Sequence, residues 1–383
     1  MSNEPSVITS AAAISGPRAR ADRWLAYGDA MRVLGVAAVL VVHTCDMLLF
    51  TGPVGRPNWW IANFIDAAGR WAVPIFIMLS GALLLDPSRE QTPMQFYRRR
   101  LSRLGVAVVF WSAFFMLFAV YYTKWASTGW DTPGSIWKDL LAGAPYVHLH
   151  FVIRLGGLYL ITPMLRVYVR HASLRLRAQM VIGILGLAVA NSIATCWLGT
   201  KPSAFVILWP FLGFYLAGNV LREVTVTRKL VAWSCAGFVL CVAGMALGTG
   251  WLIPSSQVKP QPYPSLDMML YDFLSPLRVG MSIFAWFILA YVFGRMSPAS
   301  RMQRLFKWLA PLTLGIYLVH PLFREPLWIY VYSNYNIPLL RECVFDRPNV
   351  WIGLPATVLL IGLASTALTY VIRRIPGLRQ IVG

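Results

Sequence analysis

Residues 29–50 read Asp29-Ala30-Met31-Arg32-Val33-Leu34-Gly35-Val36-Ala37-Ala38-Val39-Leu40-Val41-Val42-His43-Thr44-Cys45-Asp46-Met47-Leu48-Leu49-Phe50. The stretch from 31 to 50 supplies the roughly 20 residues that an α-helix needs to cross a hydrocarbon core. Arg32, His43 and Asp46 interrupt it, and an ionisable group at membrane depth costs several kcal/mol, so each needs a partner or a task. Eleven steps of 100° make just over three turns, so Arg32 and His43 share a helix face about 16 Å apart along the axis. Asp46 lies one turn beyond His43, within reach of its ring. One helix face thus carries an anion contact near one membrane surface and a proton acceptor beyond the midplane. The plainer alternative is a snorkelling arginine plus a histidine bonded to a neighbouring helix.

The rest of the 383-residue chain agrees with a membrane setting. Hydrophobic residues make up 57% and charged residues 13%, with a mean hydropathy of +0.60. So few charges cannot cover a soluble surface, and so apolar a chain is not disordered. The net charge of +19 would suggest nucleic acid in a soluble protein. In this setting it marks loops on the cytoplasmic side, and no nucleic-acid partner is expected. Five cysteines, Cys45, Cys196, Cys235, Cys241 and Cys343, form neither a disulfide framework nor a metal spacing.

The expected fold is all-α: a polytopic membrane protein with ten spans near 31–50, 66–85, 102–122, 146–167, 179–199, 203–221, 230–252, 269–293, 309–332 and 350–372. With both termini cytoplasmic, 23 Lys and Arg fall on the cytoplasmic side, 8 on the other and 3 within spans, accounting for all 34. The inner clusters include Arg98, Arg99, Arg100 and Arg103, then Arg166 to Arg177, and Arg295 to Lys307. Outer loops are expected at 51–65, 123–145, 253–268 and 333–349. Residues 1–30 read as a cytoplasmic tail without a signal-peptide cleavage site, 31–372 as one membrane domain and 373–383 as a second cytoplasmic tail.

Further polar residues lie along the spans. Arg70-Trp71-Ala72-Val73-Pro74-Ile75-Phe76-Ile77-Met78-Leu79-Ser80-Gly81 opens the second. Its Pro74 and its Ser80-Gly81 pair point to a kink and close helix packing. Arg100 and Arg103 share a helix face ahead of the third span and can clamp a phosphate, against the plainer role of a topology signal. His148 and His150, two positions apart, point to different sides of a helix, so no metal site is expected there. Gly315-Ile316-Tyr317-Leu318-Val319-His320-Pro321 precedes Arg324 and Glu325. Arg324, Glu325, Asp272 and Arg278 read first as structural partners between helices.

Taken in order, Asp29-x-x-Arg32 with Arg32-x10-His43, the Arg70-to-Gly81 segment, Arg100-x-x-Arg103, His148-Leu149-His150-Phe151 with Tyr159-x-x-x-Pro163, and Gly315-to-Pro321 resemble acyltransferase family 3. These are the integral-membrane acyltransferases of bacterial surface glycans and exopolysaccharides. The resemblance covers about 24–372 and fits the stand-alone branch. His150 departs from it, since relatives often carry Trp there.

The resemblance implies an acyl-CoA donor, usually acetyl-CoA, on the cytoplasmic side of a bacterial inner membrane. It implies a hydroxyl acceptor on a glycan or lipid-linked glycan, and no bound cofactor. Arg32, Arg100 and Arg103 would then meet the donor phosphates, and His43, oriented by Asp46, would be the general base. His148, His150, His320 and Glu325 are candidates for the acceptor pocket. Membrane lipid surrounds the chain, and a homodimer or a polysaccharide-synthase partner fits this setting. Two competing functions remain open at this stage: a transporter or flippase of polysaccharide or lipid-linked sugar, and a non-catalytic subunit of a polysaccharide synthase. The lack of a clear internal repeat speaks against transport.

Overall fold

The structure, a computed structural model, describes residues 17–51, 54–86, 91–126, 146, 148–199, 204–253, 266, 269–297, 299–332 and 350–383. Its helices are α1 (Pro17–Thr51), α2 (Pro57–Gly69), α3 (Ala72–Leu84), α4 (Pro93–Ala126), α5 (Leu149–His171), α6 (Leu174–Leu198) and α7 (Ala204–Leu221), followed by α8 (Arg228–Leu252), α9 (Pro276–Gly294), α10 (Arg301–Leu309), α11 (Thr313–Val319), α12 (Pro321–Tyr332) and α13 (Val350–Arg374). Short 3-10 turns lie at Met269–Tyr271, Ala310–Leu312 and Leu378–Ile381, and no strand occurs among the described residues.

Eight of these segments are long and apolar enough to cross a membrane: α1, α2 with α3, α4, α5, α6, α8, the Met269–Gly294 stretch, and α13. The helices from Arg301 to Leu327 are together long and apolar enough as well, but bend by 45° between Val319 and Pro321, the shape of a broken span or a re-entrant loop. Among the described residues α7 adds a further apolar segment, and together they make an all-α, multi-pass membrane protein. Two boundaries differ from the sequence reading. The expected outer loop 51–65 is largely helix, because Pro57 starts α2 and the second crossing runs from 57 to 84. The expected ninth span at 309–332 starts earlier and is broken. The other outer loops, 123–145, 253–268 and 333–349, lie outside the described residues except at their edges.

Local chemistry explains where helices begin and bend. Ser173, Thr227, Ser275 and Ser300 each accept a hydrogen bond from the backbone N–H three residues on, the arrangement of an N-cap. Two prolines inside broken spans do more. Pro74 has no N–H to give the carbonyl of Arg70, and Arg278 donates to that carbonyl instead, Nε to O at 2.9 Å. Pro321 likewise leaves the carbonyl of Tyr317 free, and the His320 ring takes it, Nδ1 to O at 2.6 Å. Both breaks therefore convert an orphaned carbonyl into an anchor for a cationic or imidazole side chain.

Exposed tryptophans ring the bundle at both ends. Trp197, Trp251 and Trp351 stand at one end, Trp233 and Trp308 at the other, each more than half exposed. Trp233 and Trp251 are 18 positions apart on α8, about 27 Å at 1.5 Å per residue, close to the thickness of a hydrocarbon core. Between them Val239, Leu240 and Leu247 are exposed, as a lipid-facing surface requires.

Small residues set the core crossing. α3 and α7 meet backbone to backbone: a Cβ on Gly81 would fall 1.8 Å from the Tyr215 carbonyl oxygen, and one on Gly218 would fall 1.7 Å from that of Met78. The neighbour in each case is backbone and cannot rotate away. Gly81→Ala is expected to cost about 3 kcal/mol or more, read as loss of the monodisperse peak and of thermal stability in detergent. Gly183, with nothing within 4 Å of a built Cβ, is the control. Gly183→Ala should be neutral or stabilising by about 0.5–1 kcal/mol through helix propensity.

Candidate functional site

Four chain segments converge on His43. α1 supplies His43 and Asp46, the α2–α3 break supplies Arg70, the α11–α12 break supplies Tyr317, His320, Arg324 and Glu325, and the start of α5 supplies His148. The helical spacing that predicts a His43–Asp46 contact is realised: His43 Nδ1 lies 3.1 Å from Asp46 Oδ2. A carboxylate only accepts, so the Nδ1 proton points at Asp46 and the lone pair resides on Nε2. The His320 ring stacks on His43 with centroids 5.3 Å apart and planes inclined by 22°. Because its Nδ1–H is committed to the Tyr317 carbonyl, His320 also keeps its lone pair on Nε2. His148 caps α5 instead of lying along it. Its ring meets His320 edge-on at 5.4 Å and its carbonyl accepts from the Tyr317 hydroxyl at 2.6 Å. Arg324 donates Nε to the His43 carbonyl at 3.0 Å and pairs with Glu325 at 2.7 Å, holding the second broken span against α1.

Below this cluster, a cavity of about 170 Å³ runs from Arg32 to Tyr317. Phe76, Leu79, Phe151, Leu155 and Tyr159 form much of its wall. Tyr317 is shared: it lines the cavity and lies 5.8 Å from His320 and 5.7 Å from His148, centroid to centroid. Arg32 lines the cavity as well, with one Nη1–H on Asp29 Oδ1 at 2.7 Å. Arg100 is near enough to interact electrostatically with Arg32 and Tyr159.

The sequence-derived candidates thus divide. His43, Asp46, His320 and His148 come together, with Arg324 and Glu325 packed behind them. Arg32 and Arg100 gather at the opposite end of the cavity. Arg103 turns to a separate pocket of about 540 Å³ with Ser102, Val106, Arg373, Arg379 and Gln380. The His150 ring lies 5.4 Å from Phe273, and His150 is near enough to His148 to interact electrostatically with it.

The family model of acyltransferase family 3, described as an acyltransferase domain, matches residues 25–374. The chain belongs to this family. No curated protein and no solved structure matches it. As a family 3 membrane acyltransferase, the chain keeps its histidine cluster and its arginine-lined cavity inside the matched range. Asp66 escaped the sequence reading, and Arg70, quoted there in the Arg70-to-Gly81 segment, was given no partner. Asp66 and Arg70 form an ion pair at 2.7 Å, and Arg70 also reaches Asp46 at 3.3 Å. A signal was present: Asp66 and Arg70 are four apart, the helical pairing distance.

Proposed function

We propose that this acyltransferase moves an acyl group, acetyl in the simplest case, from cytoplasmic acyl-CoA to a hydroxyl of a cell-surface or exported polysaccharide, with His43 as general base. The protein would sit in a bacterial inner membrane with both termini inside, the orientation favoured by the 23-to-8 distribution of Lys and Arg. The observation that carries the reading is Tyr317, which lines an arginine-ended apolar cavity and packs on His320, itself stacked on the His43 ring whose Nδ1 is held by a carboxylate.

The chemistry follows from these positions. Coenzyme A carries phosphates, and Arg32 and Arg100 offer charge-assisted donors at the cytoplasmic end. The cavity is smaller than the roughly 300–1,000 Å³ of common ligand sites. That size suits a linear pantetheine arm and not the nucleotide, which would stay at the arginines. The thioester carbonyl would then arrive near Tyr317 and the histidines. His43 Nε2 takes the proton of the acceptor hydroxyl as its oxygen attacks the carbonyl. The carbon–sulfur bond breaks, and the imidazolium returns the proton to the departing thiolate, so charge and atoms balance. Asp46 holds the ring and offsets the imidazolium charge, as a carboxylate does for histidine bases generally.

The test is direct. Purified protein in nanodiscs, given acetyl-CoA radiolabelled on the acetyl group and de-O-acetylated surface polysaccharide, is expected to release CoA thiol and pass the label to an alkali-labile ester on the glycan. Protein-dependent thioester loss that leaves no label on the glycan, or thioester loss that never depends on the protein, would overturn the reading. Movement of intact lipid-linked sugar across proteoliposomes in the absence of acetyl-CoA would favour a transporter.

A further inference from the structure

Asp66 is fully buried on α2 at membrane depth, and its Oδ1 has no hydrogen-bond partner among the described residues. A buried carboxylate with an unsatisfied oxygen is not what stability alone selects, since apolar packing of the same volume is usually as good or better. What Asp66 does is grip Arg70, Nε to Oδ2 at 2.7 Å. Arg70 is then fixed on every side. Its carbonyl is held by Arg278 Nε at 2.9 Å, and its guanidinium lies 4.5 Å from the Tyr271 ring centroid. Its Nη2 reaches Asp46 Oδ1 at 3.3 Å. Tyr271 is itself tied to Asn63, by its hydroxyl, and to Arg278, by its carbonyl. Asp46 therefore has one oxygen on Arg70 and the other on His43, so it cannot turn away from the ring without breaking the first contact.

We propose that Asp66 and Arg70 are positioning residues for acyl transfer: Asp66 holds Arg70, and Arg70 holds Asp46 in the orientation that presents its second carboxylate oxygen to His43 Nδ1. The proposal rests on the reading of His43 as base. It also explains the break between α2 and α3. The break brings Arg70 between the two carboxylates, and Pro74 frees the carbonyl through which Arg278 fixes it. Asp46 and Asp66 hold the Arg70 guanidinium between them, and Asp46 keeps its second carboxylate oxygen aimed at the imidazolium formed during transfer.

The experiment uses the full chain in nanodiscs with thiol release from acetyl-CoA as the probe. Asp66→Asn, isosteric, and Arg70→Lys, charge-preserving, are each expected to lower kcat about 10–100-fold through sub-ångström misplacement of the base. KM for acetyl-CoA and the melting temperature should stay near those of the parent. Asp46→Asn should mask the effect: in that background Asp66→Asn should cost less than about 2-fold, because both act through one carboxylate. The proposal is overturned if Asp66→Asn keeps the parent kcat, if its cost is the same with and without Asp46, or if kcat falls only together with KM and melting temperature. Parental turnover in Asp46→Asn alone would instead sink the reading of His43–Asp46 as the catalytic pair, and this proposal with it.

Discussion

Replacing His43 with alanine is expected to lower acyl transfer by about 10²–10⁴-fold, the range for removing a general base, while acyl-CoA binding largely survives. The argument is positional. His43 shares a helix face with Arg32 and has its Nδ1 held by a carboxylate. His320 and His148 are its neighbours in the cluster, but His320 spends its Nδ1 proton on a backbone carbonyl, which fixes a ring without offsetting a positive charge. His171 is exposed and bonded to the Val167 carbonyl, away from the cluster. His320→Ala should therefore cost less than His43→Ala in kcat, and part of its cost should come through the lost stacking partner. Purified variants compared for thioester cleavage and for glycan acylation decide this. A dead His320→Ala enzyme beside a near-normal His43→Ala enzyme would transfer the base assignment to His320 and leave the family membership untouched.

Arg32→Ala should act on the donor. Removing a charge-assisted phosphate contact costs about 1.5–3 kcal/mol, or roughly 10–150-fold in affinity for acyl-CoA. Arg32 meets the condition because it lines the apolar cavity and, among the described residues, pairs with Asp29 alone. Arg100→Ala should weaken the donor in the same sense, and its effect should couple to that of Arg32, since the two lie close enough to sense one another. Arg103→Ala makes the contrast. It faces the separate pocket with Arg373 and Arg379, so its effect on donor affinity should be the smallest of the three. Isothermal titration with a non-hydrolysable acetyl-CoA analogue measures all three. Equal losses at Arg32, Arg100 and Arg103 would mean that the nucleotide spans both pockets, and no loss at Arg32 would remove it from the donor site.

How much of this was legible in the chain follows from what each signal depends on. Apolar run length and the bias of Lys and Arg are set by the bilayer, so the multi-pass all-α class could be read directly. Arg32, His43 and Asp46 lie on one helix, and a fixed 100° step is enough to place them on a shared face and to foresee the His43–Asp46 contact. Small residues at the Ser80-Gly81 pair foretold close packing for the same local reason. Tertiary structure alone decided the rest, because the partners are distant in sequence. No periodicity joins His43 to His320, Arg278 to the carbonyl that Pro74 frees, or Arg70 to Asp46 across the α2–α3 break. Arg100 and Arg103 show the limit most clearly: a three-residue spacing puts them on one face of α4, yet Arg100 lies near Arg32 whereas Arg103 lines the pocket with Arg373. Local geometry fixes directions along a helix, whereas the identity of what meets each side chain is set by how the helices pack.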